Sequence, residues 1–204
     1  FNISNIGAKM SYTSTQIRDF IPANLRLGSA LDIDLDEMNL FTFSVDLNKL
    51  LVPTPPVYQR DNNGLPVQDL DGNYIIEAGR DPNVGVASGI FGSFTDAPGV
   101  YYDDSWDLQE IGKFKEEMRE VNLGVGMEYW YAHRFALRGG YFYEHYTKGN
   151  RQYAALGAGM KYKTLEIDLS YLIPTVQQHP LAKTLRFTLK FNFGASNEGD
   201  SKES

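Results

Sequence analysis

The sequence predicts an all-β protein, a transmembrane antiparallel β-barrel, on three observations. Large apolar residues fall at every second position in eight separate stretches, each close to the 9–11 residues that a tilted strand needs to cross hydrocarbon. Tight turns at one end of these stretches alternate with longer connections at the other, the habit of outer-membrane barrels. Tyr (13), Phe (12) and Gly (19) are plentiful, a composition that suits sheet more than helix.

The elements follow in order. "NIGAKMSY" sets Ile6, Ala8, Met10 and Tyr12 opposite Gly7, Lys9 and Ser11. "NLRLGSALDID" places Leu25, Leu27, Leu31 and Ile33 on one face, with Arg26, Asp32 and Asp34 on the other. After the turn "LDEM", Phe41, Phe43, Val45 and Leu47 oppose Thr42, Ser44, Asp46 and Asn48. These three strands make up residues 1–50. The second group, residues 121–193, supplies five. "VNLGVGMEYWY" alternates Val121, Leu123, Val125, Met127, Tyr129 and Tyr131 with Gly124, Gly126, Glu128 and Trp130. Across "AHR", Phe135, Leu137, Tyr141 and Tyr143 oppose Arg138, Phe142 and Glu144. "YAALGAGMKY" and "LEIDLSYLI" continue the pattern, the latter with Glu166 and Asp168 on its polar face. "KTLRFTLKFNF" closes it, with Leu185, Phe187, Leu189, Phe191 and Phe193 against Arg186 and Lys190. Residues 194–204 are a polar tail.

If the apolar face meets lipid, the other face lines a lumen holding Asp32, Asp34, Asp46, Glu128, Arg138, Glu144, Glu166, Asp168, Arg186 and Lys190. Charges of both signs favour a salt-bridged or hydrated interior, because an unpaired charge is costly away from water. The competing architecture is a soluble sandwich or barrel with the Leu/Phe face as its core. Crowded neighbours such as Phe135, Leu137, Tyr141 and Tyr143, and glycines gathered on the polar face, count against it.

Residues 51–120 have another character. They hold 5 basic and 13 acidic residues, a balance of −8, against 14 basic and 13 acidic elsewhere. Pro53, Pro55 and Pro56 stiffen the exit from the strand, and Asn63-Gly64 and Asp71-Gly72 favour turns. "DDSWDLQEIGKFKEEMREV" predicts a helix near 105–119, capped by Asp104 or Ser105, with Leu108, Ile111, Phe114 and Met118 at helical spacing. "GVASGIFGSFTDAPGVYY" reads as a covered loop core. Either the helical stripe packs against the barrel rim or a neighbouring loop, or this long acidic segment docks partners, with Phe91, Phe94, Tyr101, Tyr102 and Trp106 as contact candidates.

Several function classes are excluded. A net charge of −7 argues against nucleic-acid binding, and the absence of cysteine removes disulfides and thiolate chemistry. No run of about 18 apolar residues predicts a membrane helix. The start shows no signal peptide, and its abruptness predicts the C-terminal part of a larger barrel. No P-loop, dinucleotide fingerprint, HExxH or nucleophile elbow occurs. His133, His145 and His179 lack metal-ligand spacing, and Asp32, Asp34 and Asp36 lack the Gly and Glu of a calcium loop. No catalytic residue, metal or cofactor is therefore expected.

The stretches "ISNIGAKMSYT", "FIPANLRLG", "VDLNKLLVPTPPVY", "GIFGSFTDAPGV", "GMEYWYAHRFALRGGYFYEHYTKGNRQYAALGAGMKY" and "DLSYLIPTVQQHPLAKTLRFTLKFNF" together resemble the C-terminal portion of the FadL-like outer-membrane barrels, most closely those serving type IX protein secretion. The resemblance implies a fourteen-stranded barrel whose last eight strands are this chain, in the cell outer membrane and touching its lipid, with the long loops extracellular. It implies no catalysis. Such proteins are understood to receive secreted cargo carrying a C-terminal sorting domain as it leaves the large translocon barrel, and to carry it to a surface attachment complex. The alternatives within this resemblance are a channel for hydrophobic small molecules and a structural subunit of the translocon.

Overall fold

A computed structural model describes residues 1–11, 18–175 and 184–192. Eight strands form one sheet: β1 (Asn2–Ser4), β2 (Asn24–Asp34), β3 (Asn39–Leu50), β8 (Val121–Tyr131), β9 (Phe135–Tyr143), β10 (Gln152–Tyr162), β11 (Leu165–Pro174) and β12 (Leu185–Phe191), neighbours in that order. Between β3 and β8 the chain makes two small two-stranded sheets, β4 (Val57–Tyr58) with β5 (Ile76–Ala78) and β6 (Val100–Tyr102) with β7 (Leu108–Glu110). It also makes two short helices, α1 (Val86–Gly92) and α2 (Lys113–Arg119).

The sheet is open. Its order ends at β1 and β12, and neither outer edge pairs with a further strand among the described residues. The expected closed transmembrane barrel is therefore corrected. Alternation decides which face of a strand is apolar; it does not decide whether the last strand meets the first. Three residues of β1 and seven of β12 offer no matching ladder, and open edges in hydrocarbon cost several kcal/mol per unpaired group. The outer-membrane location and the lumen, expected from the apolar face and the resemblance, both require a closed wall and are corrected with it. No helix among the described residues is long and apolar enough to cross a membrane.

Two further expectations change. The first strand is Asn2–Ser4, paired with Asn24–Arg26, and Met10 only bridges to Asp19. The helix expected near 105–119 is confined to Lys113–Arg119, because Gly112 takes φ 88° and Trp106 takes φ 62°, neither of which a helix tolerates. Tyr12, His179, Phe193 and the polar tail lie outside the described residues.

The chain divides into two compact units. The first comprises Phe1–Leu27, Leu47–Leu123 and Glu144–Gly149; the second comprises Gly28–Asp46, Gly124–Tyr143 and Asn150–Ser204. In the second unit the register sets Ile167 opposite Leu189 and Leu169 opposite Phe187, with Asp168 opposite Thr188 between them. The Leu/Phe face so formed is bare: Leu137, Leu156, Leu169 and Phe187 are all exposed. Among the described residues there, the buried apolar ones are Ala136 and Leu172. A dry core of large side chains, as a soluble sandwich requires, is not what these strands make.

Tight turns join the strands of this unit. Asp36 accepts bonds from the Met38 and Asn39 N–H groups at 2.8 and 2.9 Å. Ala132 and His133 both adopt positive φ, 51° and 52°, the twist that a two-residue hairpin turn needs.

Candidate functional site

The polar face of the second unit carries an ion network. The Arg138 guanidinium donates to both Glu128 and Asp168 and lies 5.4 Å from the centre of the Trp130 ring. The Trp130 indole N–H donates to Glu128 at 2.6 Å. Burial opposes the charge on Arg138, but the two carboxylates outweigh it and hold its pKa above the usual guanidinium value. Glycine makes this possible. Gly157 faces Arg138 across the β9–β10 ladder and Gly159 faces Asp168 across β10–β11, and a methyl at 159 would collide with both side chains. Lys190 reaches Glu166 at 3.2 Å, and Thr42 donates to Asp32 at 2.7 Å. Asp34, Asp46 and Arg186 stand exposed, and Asp46 packs its carboxylate over Gly28. Of the charges expected to face a lumen, Glu144 alone belongs to the first unit, where it is 3 % exposed.

The first unit contains a denser constellation that sequence reasoning missed. Lys49 near the end of β3 is 7 % exposed and bonds Glu120 at 2.7 Å and Glu117 at 3.1 Å. Lys148, in a 3-10 turn over Tyr146–Lys148, bonds Glu120 at 2.9 Å and Glu116 at 3.4 Å. Asp96, 4 % exposed, accepts from the Thr54 N–H at 3.0 Å and its hydroxyl at 2.9 Å. Carboxylate oxygens of Asp96, Glu117 and Glu120 lie within 4.8 Å of one another. The charged side chains also clamp backbone. Glu117 accepts from Ala97 N–H and Glu116 from Gly99 N–H, fastening α2 to segment 96–99.

The electrostatics of the cluster follow from this packing. Burial pushes the Asp96 carboxyl up; the Thr54 bonds pull the other way, and the neighbouring Glu117 and Glu120 charges add to the rise. Burial also works against Glu120, but its bonds from Lys49, Lys148 and Thr54 hold it below the usual glutamate range. Lys49 already bonds two of these three carboxylates, so the arrangement is an ion network in which carboxylates outnumber the lysines. Its signal in the sequence is faint: Glu116, Glu117 and Glu120 share one short helix, but the lysines come from 67 and more residues before and 28 and more after.

A cavity of about 140 Å³ opens beside the cluster. Leu50, Val52, Pro53 and Pro55 form apolar walls, and Thr54, Glu120, Asn122, Glu144 and Lys148 supply its polar groups. Gly149 takes φ 137° and lies against the Glu144 carboxylate, a position where any Cβ would collide.

The aromatic contact candidates fall in two places. Phe91 in α1 is 78 % exposed, and Phe94 just beyond it is exposed with the Lys49 ammonium 5.9 Å from its ring. Tyr102 and Trp106 both flank the Arg60 guanidinium, at 5.7 and 4.8 Å from their ring centres. Tyr101, the middle residue of β6, is exposed. Trp106 is presented by a turn in which Asp103 accepts from the Ser105 and Asp107 N–H groups at 2.9 and 3.0 Å. Asp61 and Asp69 build matching turns over 61–65 and 69–73. The supposed helical stripe does not form a packed face: Phe114 and Met118 are exposed and Leu108 belongs to β7.

Compared with known proteins, residues 1–57 match the family of the type IX secretion system protein PorV. That is a partial match, over a little more than a quarter of the 204 residues, narrower than the stretches that carry the resemblance in the sequence. No curated protein matches the chain.

Proposed function

We propose that the chain is a non-catalytic docking component of type IX protein secretion. It receives secreted proteins bearing a C-terminal sorting domain as they leave the translocon and passes them to the surface attachment complex. The observation that carries this reading is the PorV-family match over residues 1–57. The segment 51–120 supports it. That segment is built from short strands, helices and aspartate turns, so its exposed aromatic groups are presented by ordered backbone rather than by a loose coil. Pre-ordered aromatic groups bind with less entropic loss, and aromatic residues dominate binding hot spots. The segment's surplus of negative charge steers basic partners towards it. A channel for hydrophobic molecules needs a closed wall, which the open sheet does not supply.

The test pairs two double variants, Phe91→Ala with Phe94→Ala, and Tyr101→Ala with Trp106→Ala. At least one should reduce co-purification of a sorting-domain protein by about thirtyfold, the loss of about 2 kcal/mol typical of an anchor residue. Unchanged co-purification by both folded double variants would refute the docking role. A fixed stoichiometry with the translocon, independent of cargo, would identify a structural subunit instead.

A further inference from the structure

We infer that the outer edge of β12 is a docking site for an extended segment of another protein, one in which acidic residues alternate with large apolar ones. The first observation is the backbone. The Asn192 N–H donates to Thr164 and the Leu172 N–H donates to Thr184, so within β12 it is Arg186, Thr188 and Lys190 whose backbone groups face β11. Leu185, Phe187 and Leu189 turn their N–H and C=O groups the other way, where no strand pairs among the described residues. Proteins blunt such an edge with bulges, proline or brevity, as β1 at the opposite edge is only three residues long. Strand β12 runs seven residues beside β11 without a shift in register and without proline. Its one guard is charge, and charge repels some partners and admits others.

That charge names the occupant. On β11, Glu166 is bonded to Lys190 and Asp168 to Arg138, and Ser170 stands opposite Arg186, so the exposed Arg186 guanidinium meets no carboxylate there. A second copy of the chain is a poor partner. Two β12 edges paired antiparallel about Thr188 set Arg186 of each against Lys190 of the other, and like charges directly opposite destabilise a pair. A strand with Asp or Glu at those positions gains what the self-pair loses. Geometry sharpens the choice: where Leu185, Phe187 and Leu189 exchange hydrogen bonds with the newcomer, Arg186 and Lys190 fall in the non-hydrogen-bonded pairs, whose side chains stand closest. On the opposite face the newcomer's apolar residues cover Leu185, Phe187 and Leu189, all exposed. Strand β11 already has this chemistry on the inner edge, with Leu165, Ile167 and Leu169 alternating with Glu166 and Asp168. The inference is independent of docking by segment 51–120.

The experiment titrates the full chain into a fluorescein-labelled peptide, TLEIDLSYL, the sequence of residues 164–172, and reads anisotropy. Its control is the same peptide with Glu166→Lys and Asp168→Lys. The acidic peptide should saturate and bind at least about fivefold more tightly than the basic one, the size of one cross-strand charge pair. Arg186→Glu in the chain should weaken the acidic peptide and tighten the basic one, a paired change that misfolding cannot produce. Leu189→Pro removes an outward N–H that β11 does not use, and should abolish binding of the acidic peptide. Equal affinity for the two peptides, no saturable binding of the acidic one, or an unchanged preference in Arg186→Glu would overturn the inference. So would a concentration-dependent dimer that Leu189→Pro dissolves, because it gives the edge to a second copy.

Discussion

Replacing Lys49 with Met tests whether the carboxylate network holds the first unit together. The Lys49 ammonium is almost fully buried and bonds two glutamates at 2.7 and 3.1 Å. Without it, Asp96, Glu116, Glu117 and Glu120 share one nearby cation, Lys148. Removing one partner of a buried ion pair costs about 3–5 kcal/mol, because the abandoned charge stays away from water. Relaxation of Lys148 towards Glu120 favours the lower end, about 3 kcal/mol. Loss of the ammonium over the Phe94 ring adds about 0.5 kcal/mol. The melting temperature should fall by about 7–14 °C, at about 2–4 °C per kcal/mol for a chain of this length. The chain has two tryptophans, Trp106 in the first unit and Trp130 in the second. In a Trp130→Phe background, urea unfolding followed by Trp106 fluorescence therefore reports on the first unit. Adding Glu117→Gln to Lys49→Met should restore part of the loss, since it removes one unpaired charge. A Lys49→Met midpoint within about 0.5 kcal/mol of the parent would show that the cluster contributes nothing beyond surface ion pairs, and the reasoning would fail.

Four other outcomes follow from the same geometry. Asp96 is pushed above its ordinary value of 3.8, chiefly by burial, so the folded chain holds this proton more tightly than the unfolded one and ionisation at neutral pH opposes folding. Asp96→Asn should accordingly stabilise the first unit at pH 7, and the advantage should vanish as the pH falls through the raised value towards 3.8, read by urea titrations across that range. Glu120 is shifted the opposite way: its stabilising contribution is present above the ordinary glutamate pKa and lost as the pH falls through its depressed value, so Glu120→Gln should flatten the acid limb of the same curve. Arg138→Met in the second unit should cost about 1 kcal/mol, because the side chain is still about a third exposed, and should shift the emission of Trp130, whose indole shares Glu128 with it. Gly64→Ala should cost about 1–2 kcal/mol and move the Trp106 emission to longer wavelength, since Gly64 takes φ 78° and a methyl there overlaps the Trp106 indole.

The strands were legible because their signal is local. Leu165, Ile167 and Leu169 against Glu166 and Asp168 define two faces whatever the rest of the chain does, and the turn at Ala132–His133 is bounded by two such runs. Closure was not legible, because hydrogen bonds between a first and a last strand leave no trace in either one's alternation. The helix near 105–119 was overextended because Leu108, Ile111, Phe114 and Met118 satisfy a helical period. Gly112 and the Asp103 turn override it locally: a carboxylate that accepts two backbone N–H groups within four residues competes directly with the helix for those donors. The Lys49–Glu117–Glu120–Lys148 cluster was invisible for another reason. Lys49 follows Phe43, Val45 and Leu47 in the alternation, where it reads as the polar end of an apolar face, and Glu117 lies in a run of charged residues; only the fold places them within bonding distance.

The turns headed by Asp61, Asp69 and Asp103 bear on the order in which the chain comes together. Strands β3 and β8 are neighbours although seventy residues separate Leu50 from Val121. Bringing such distant ends together from a fluctuating coil is slow, and each doubling of the span adds about 0.6 kcal/mol of closure entropy. Loops of about ten residues, however, close in about 10–100 ns. Each of these aspartates gathers its own five residues without waiting for any other part of the molecule. By the time the two strands search for each other, the span between them behaves as a shorter tether, folded up in advance at three points.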